Sequence, residues 1–438
     1  METIVMIIQF VLGLSLLVGV HELGHMLFAK LFGMRVEKFS IGFPPKIFSF
    51  KKGETEYSIG ALPFGGFVKI SGMVDESLDT TALSKEPQPW EFRSKPAVQR
   101  LFVMLGGIIF NVLSAIVILS VLFWSVGEKY LTIEEINKHG VVPTSIGKQL
   151  GFKTGDRIKA VNGILVQGDY AEVFKTAILQ SESTITVTRT MGNDTTIQLP
   201  KNILDIISEK KESFFELAMP FHIGGFDQAS NAQRAGLEIG DKIIAVDSTP
   251  IKYLHELKST LSSYKTEDVR LTILRDKDTV IKTCTVTDEG RIGIAIESEL
   301  KFNSHTYTPL EAIAKGTYSS FDIVFIQVKA FSKMFTGELD PSNSVGSFIS
   351  IGKEYGGQWD WAHFWSFTAT LSMILAFMNL LPIPALDGGH VVFLLYEIIT
   401  RKKPSDKFLE GAQKVGMVLL FSLMLYAVFN DIFKNFFN

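Results

Sequence analysis

Apolar residues dominate four stretches of this chain, each suited to crossing a bilayer whose core asks for about 20 residues of helix. The first covers residues 4–32, the second 101–124 and the fourth 415–429. The third starts near residue 364, is interrupted around Pro382-Ile383-Pro384 and resumes over 391–399. Few polar residues enter these runs. Between Ile4 and Val20 only Gln9, Ser15 and glycines depart from plain apolarity, and Asn111 is the strongly polar residue of the second run. Residues 127–362 are more polar and patterned for strands and short helices.

That polar stretch repeats itself. Gly151-Phe-Lys-Thr-Gly-Asp156-Arg-Ile-Lys-Ala-Val-Asn162-Gly matches Gly236-Leu-Glu-Ile-Gly-Asp241-Lys-Ile-Ile-Ala-Val-Asp247-Ser at an offset of 85 residues. Each Gly-Asp pair suits a turn entering a strand. A helical stretch (171–180; 254–262) and further strands (185–190; 269–275) follow in both copies. The doubled pattern resembles the PDZ fold, a small β-rich domain that can take a peptide as an added strand. The loop Ile223-Gly224-Gly225-Phe226 is the expected place for backbone N–H groups that receive a peptide C-terminus. A repeated β-domain with no peptide role fits the same pattern.

Between the first two apolar runs, Phe39-Ser-Ile-Gly-Phe43-Pro-Pro, Tyr57-Ser-Ile-Gly-Ala-Leu-Pro and Phe64-Gly-Gly-Phe67-Val-Lys-Ile are too apolar and Gly-rich for an ordinary loop. Their alternation predicts hairpins lying against the membrane part, with strand edges that could accept an unwound substrate. Residues 309–336 read as an amphipathic helix, with Ile313, Val324, Ile326 and Phe331 on its apolar positions, and are expected on the membrane surface.

Charge sets an orientation. Lys30, Arg35, Lys38, Lys46, Lys51 and Lys52 follow the first run, Arg93, Lys95 and Arg100 precede the second, and Arg401, Lys402, Lys403 and Lys407 join the third to the fourth. Both connections therefore read as cytoplasmic, leaving the termini and residues 127–362 on the opposite side. The net charge of −3, without a basic stripe interleaved with aromatics, excludes nucleic acid as a partner. The composition, 46% hydrophobic and 20% charged over 438 residues, is that of a membrane protein with substantial soluble parts. Cys284 is the only cysteine, which excludes a disulfide framework and a thiolate metal cluster. Met1-Glu2-Thr3 offers no basic flank, and the run leads into polar chemistry instead of a small-residue cleavage site, so a cleavable signal peptide is not expected.

The chemistry lies within the first run, at His21-Glu22-Leu23-Gly24-His25. Imidazoles four residues apart share one helical face and can grip one Zn²⁺, with the Glu between them placed as general base toward an attacking water. Ionisable groups at membrane depth mark function. A catalytic zinc usually takes a third protein ligand. Asn379-Leu-Leu-Pro382-Ile-Pro384-Ala-Leu-Asp387-Gly388-Gly389 supplies one in the interrupted third run, where broken backbone is tolerated only beside protein or a water-filled cavity. Asp387 is the oxygen ligand expected there; the bland alternative is an N-cap of the next helix. Nitrogen and oxygen donors in tetrahedral array favour zinc.

With these paired motifs the chain resembles the site-2-protease family of intramembrane zinc metalloproteases, in particular the bacterial branch of regulator-of-sigma-E proteases with tandem PDZ domains. The resemblance implies His21, His25 and Asp387 as metal ligands, Glu22 as catalytic base, and Asn379, Phe43, Gly65 and Gly66 as substrate-binding residues. Gly107 through Asn111 is similar to the family's second-span motif. The chain departs from the family at Ile108, where Pro is common, at Gly42-Phe43-Pro44, where Gly-Phe-Gly is common, and at Gly346-Ser-Phe, which lacks a Gly-Pro pair. None of these touches a ligand position.

The expected fold is a four-span α-helical membrane protein with two extracytoplasmic PDZ-like β-rich domains and a membrane-associated β-hairpin region. Its expected segments are 1–33 (first span), 34–97 (hairpins), 98–124 (second span), 127–215 and 218–298 (PDZ-like), 299–362 (amphipathic helix and linker), 363–400 (broken third span) and 411–434 (fourth span). The resemblance further implies a bacterial inner membrane, and as substrates single-span proteins such as anti-sigma factors after a first cut, or remnant signal peptides. Peptide C-termini at the PDZ-like domains and the lipid bilayer complete the expected partners. A transporter or metal channel would also place His, Glu and Asp at membrane depth, but should repeat its spans. A non-catalytic PDZ scaffold would need neither Glu22 nor the broken run.

Overall fold

The computed structural model describes residues 2–73, 86–344 and 346–436. Residues 74–85, inside the segment expected to carry hairpins, and the Phe64 side chain lie outside that description. The chain forms two compact units, Met1–Glu128 with Thr306–Asn438, and Lys129–His305.

The first unit holds helices α1 (Glu2–Leu31), α2 (Ala97–Val126), α3 (Pro309–Phe335), α4 (Trp361–Leu380), α5 (Asp387–Thr400) and α6 (Asp406–Phe436), with strands β1 (Val36–Lys52) and β2 (Thr55–Ile70). Helices α1, α2, α4 and α6 are long and apolar enough to cross a membrane. At 1.5 Å per residue, the 30 residues of α1 extend about 45 Å, beyond the roughly 30 Å hydrocarbon core.

Glycines let α1 and α2 touch. A Cβ on Gly24 would lie 2.2 Å from the Gly106 carbonyl oxygen, and one on Gly106 would lie 2.7 Å from that of Gly24. Between helices in lipid, such close backbone approach replaces the hydrophobic drive available in water. Arg100 of α2 donates to Glu397 of α5 at 2.5 Å, with both side chains largely buried, and so ties the second half of the broken span to α2.

The helix expected on the membrane surface packs along α2 and α4. Along α3 the buried small residues Ala312, Gly316 and Ser320 recur every four positions. A Cβ on Gly316 would meet Ser120 Oγ of α2 at 2.4 Å. Ile323 and Val324 join Leu119, Ala369 and Met373 in one cluster, and Phe331 meets Phe377 of α4. The small-residue stripe therefore faces α2, while Leu310, Ile313, Phe321, Phe325 and Val328 stay exposed. Of the apolar positions read from sequence, Val324 and Phe331 pack inward and Ile313 stays exposed, while the closest approach to α2 is made by small residues.

Strands β1 and β2 pair antiparallel and each folds back on itself. Phe39 pairs both Val68 and Tyr57, and Ser58 pairs both Ser40 and Ser49. Residues 36–41 thus lie between 55–60 and 66–70, leaving 66–70 as an edge among the described residues.

The second unit is two copies of one plan, as the repeat predicts. Each copy has a four-stranded antiparallel sheet: Ile164–Leu165, Arg157–Val161, Thr184–Thr188, Asp194–Gln198 in the first, and Thr249–Pro250, Lys242–Val246, Asp268–Arg275, Asp278–Thr285 in the second. A bulge falls between Ile158 and Ala160 and, equivalently, between Ile243 and Ala245. Each copy has its own apolar core. These small antiparallel sheets are consistent with PDZ-like domains.

The Gly-Asp turns are held by an arginine that sequence reading passed over. Asp156 accepts from Arg189 at 2.5 Å, and Arg189 also donates to the Gly151 carbonyl. Asp241 accepts from Arg275 at 2.8 Å, and Arg275 also donates to the Gly236 carbonyl. Burial alone would raise the Asp241 carboxyl. Hydrogen bonds from Arg275 and the Glu238 N–H, with the arginine's charge, hold it below the usual carboxylate range instead. Because the folded value is depressed, this stabilisation is complete above the unfolded value of about 3.9 and fades as pH falls through the folded value. Thermal unfolding of the full chain in detergent, followed through its β-rich unit, should therefore drop below about pH 4. Arg275→Met should flatten that dependence; an unchanged acid profile in the variant would assign it to other carboxylates.

The expected C-terminus-binding loop is a strand. Residues Phe221–Phe226 pair with Ile294–Ser298, and Ile223 additionally donates to the Asp241 carbonyl while accepting from Gly240 N–H. Ile223 is fully buried. Its amide is committed to the fold and unavailable to a carboxylate.

Candidate active site

Helix α1 presents His21, Glu22 and His25 toward the end of the broken span. Their i, i+4 spacing puts both imidazoles on one face, with Nε2 atoms 3.2 Å apart. Asp387 closes the triangle: its Oδ2 lies 3.1 Å from His21 Nε2 and 3.3 Å from His25 Nε2. Atoms held about 2.0–2.1 Å from one tetrahedral zinc sit about 3.3–3.4 Å apart, so the donor set fits a shared Zn²⁺. Asp387 Oδ2 is buried and makes no hydrogen bond, an unsatisfied acceptor that a cation would satisfy.

Local backbone explains how Asp387 arrives there. Helix α4 stops at Leu380, and the chain turns with Ile383 N–H donating to Leu381 and Leu386 N–H to Ile383. A Cβ on Gly388 would strike the Leu381 carbonyl oxygen at 2.2 Å, and one on Gly389 would strike Pro384 Cα at 2.4 Å. Only glycines permit so tight a re-entry into α5. Leu386 occupies the N-cap, so Asp387 is the first helical residue and not a capping side chain.

The other ring nitrogens are held from α2. His25 Nδ1 meets the Val103 carbonyl at 2.8 Å, which fixes its proton there and leaves Nε2 for a metal. His21 Nδ1 lies 3.1 Å from the Asn111 amide nitrogen, while Asn111 Oδ1 is buried without a partner. When His21 Nε2 faces a cation, Nδ1 carries the proton and needs an acceptor. A 180° flip of the Asn111 amide supplies it and satisfies the orphaned oxygen. Asn111 stood out in the sequence as a polar residue within an apolar run; what it contacts could not be read there.

His21, Glu22, His25, Phe43, Gly66, Asn379, Asp387 and His390 are among the residues lining one cavity of 590 Å³. Val68, on the 66–70 edge, lines the same cavity as Glu22. Asn379 Nδ2 lies 3.4 Å from His21 Nε2, beside the ligand triangle. A Cβ on Gly66 would press Ser40 O and Val18 at 2.6 Å and approach Glu22 Cγ at 3.3 Å. Gly65 packs under the Phe43 ring, where a Cβ would sit 2.4 Å from Cε2. The fold thus gathers most of the expected site residues about one cavity, with Gly65 supporting its Phe43 wall. Lys38, His390 and Gln413 also line it, and none was singled out for the site from sequence.

The sequence model of peptidase family M50 matches residues 9–423. The chain belongs to peptidase family M50. This M50 chain is 29% identical to the regulator of sigma E protease of Haemophilus influenzae over 97% of its own length and 98% of that protein. It is 28% identical to the regulator of sigma-E protease RseP of Salmonella typhimurium, over 96% and 97% of the two chains. As an M50 protein it is a multi-pass intramembrane zinc metalloprotease, and the His21–His25–Asp387 cluster is its plausible zinc site.

Proposed function

We propose that this M50 protease cuts peptide bonds in or near the membrane segments of single-span proteins, anti-sigma-factor-like chains already trimmed by a first cut foremost, with remnant signal peptides as a second class. Convergence of His21, His25 and Asp387 on one point beside Glu22, in a cavity large enough for a peptide, is the observation that supports the chemistry.

In this reading His21, His25 and Asp387 hold Zn²⁺, which when bound supplies Lewis-acid polarisation and a water acidified to near neutral pH. Glu22 takes the proton of the attacking water and returns it to the leaving amine. A transmembrane helix has its backbone bonds internally paired, so it must unwind before its carbonyl is attacked. The 66–70 edge, next to Gly65, Gly66 and Phe43, offers a strand for the unwound segment, and the Asn379 amide offers hydrogen bonds to its freed backbone. The basic connections after the first span and between the third and fourth support a cytoplasmic-side site in a bacterial inner membrane, with residues 127–215 and 218–298 as extracytoplasmic PDZ-like domains.

Those domains act as the filter that admits trimmed substrates, by excluding bulky ectodomains or by reading a new C-terminus. In vesicles, the full chain should cleave a trimmed single-span reporter and spare the untrimmed one. Deleting residues 127–298 should permit cleavage of both. Unchanged selectivity, with cleavage of the trimmed reporter retained, would refute the filter.

A further inference from the structure

His390 is a cavity-lining side chain with no task so far. It follows Asp387 by three residues in α5, so both side chains leave the helix on one face, with Cβ atoms about 5–6 Å apart. The imidazole is half-buried and, among the described residues, has no hydrogen-bond or ion-pair partner. It is not one of the three residues whose donor atoms converge within 4.8 Å, and it lies too far into α5 to cap it. Val391 to Leu395 after it are wholly apolar. A polar ring kept at membrane depth without a protein partner is costly unless something else in the cavity uses it.

The reaction offers such a use. Attack on a peptide carbonyl gathers negative charge on its oxygen, and a donor already aimed there in a low-dielectric site is worth about 10²–10³-fold in rate. We propose that His390 is a further catalytic residue: its ring N–H donates a hydrogen bond to the scissile carbonyl oxygen as charge develops, and no proton leaves the ring. His390 lines the same cavity as His21, His25 and Asp387 and stands one helical turn after Asp387, so the helical step brings it to the same side of the site. The inference rests on the protease reading of the site.

The test uses full-length protein in vesicles with a helical reporter, comparing His390→Leu, which keeps bulk, with His390→Gln, which keeps a donor. In the Leu variant kcat should fall about 100-fold with KM within about twofold. Zinc stoichiometry should not change. Affinity for a peptide phosphinate, a tetrahedral anion, should fall by a similar factor, and the Gln variant should recover about tenfold of the loss. A Leu variant with kcat within about threefold of the parent would overturn the proposal. Lost kcat with unchanged phosphinate affinity would also overturn it, as would loss of zinc, which would make His390 a positioning residue. Failure of the protease reading looks different: the parent chain would then cleave no faster than its Glu22→Gln variant.

Discussion

Replacing Glu22 with Gln should abolish peptide cleavage while leaving zinc bound. Glu22 lines the cavity but lies outside the set of atoms that converge on the metal position, so its loss removes no ligand. The amide is nearly isosteric with the carboxylate and still fits against Gly66, where little space exists for adjustment. It cannot accept the proton of the attacking water or deliver one to the leaving amine. Removing a general base of this kind lowers the rate by about 10²–10⁴-fold. Here one group serves both transfers, so the upper end is expected. Zinc content by mass spectrometry and turnover of a reporter helix, measured on one preparation, separate the roles. Retained turnover would refute the base assignment; lost zinc would place Glu22 among the groups that build the metal site.

Gly107→Ala should do the reverse, weakening the metal site while Glu22 stays in place. A Cβ at this position would lie 2.4 Å from His21 Cε1, 2.7 Å from His21 Nδ1 and 2.6 Å from His25 Nε2. Contacts this short force something to move. The helices cannot easily part, because Gly24 and Gly106 already bring α1 and α2 into backbone contact one step away. The rings must swing instead, leaving Val103 O and Asn111, which orient them. Disturbing such orienting contacts weakens metal affinity or activity by about 10–100-fold. Zinc affinity and turnover should therefore fall together, and excess zinc should restore part of the activity. Wild-type zinc affinity in this variant would mean that α1 and α2 separate more readily than their packing implies.

Much of the candidate site was legible in the amino-acid sequence. His21, Glu22 and His25 stand out through helical spacing, and the i, i+4 geometry follows from local backbone whatever surrounds it. Asp387 was legible through contradiction: a carboxylate among prolines and glycines inside an apolar run has few roles other than function. Gly107 was not legible as a packing partner of both imidazoles, since a glycine in an apolar helix reads as neutral until its neighbours are known. The buried stripe of α3 was not legible for a related reason. Periodicity detects large apolar residues, whereas Ala312, Gly316 and Ser320 are buried because they are small. The loop at 223–226 was misread because glycine pairs mark both an anion-binding turn and a strand in close pairing.

What the sequence determined by itself is the set of local commitments: four apolar spans, a doubled β-plan, two imidazoles on one face, and a break that carries a carboxylate. Each follows from residue type and short-range spacing, which the backbone converts into geometry without help. Tertiary structure alone decided which of these commitments meet. It brought Asn379 within 3.4 Å of His21 across 358 residues of chain, gave Asn111 a histidine to orient, and turned His390 toward a cavity instead of lipid. Such meetings depend on helix crossings set by a few glycines, where a single methyl group separates contact from collision, and no periodicity along a chain encodes which crossing those glycines serve.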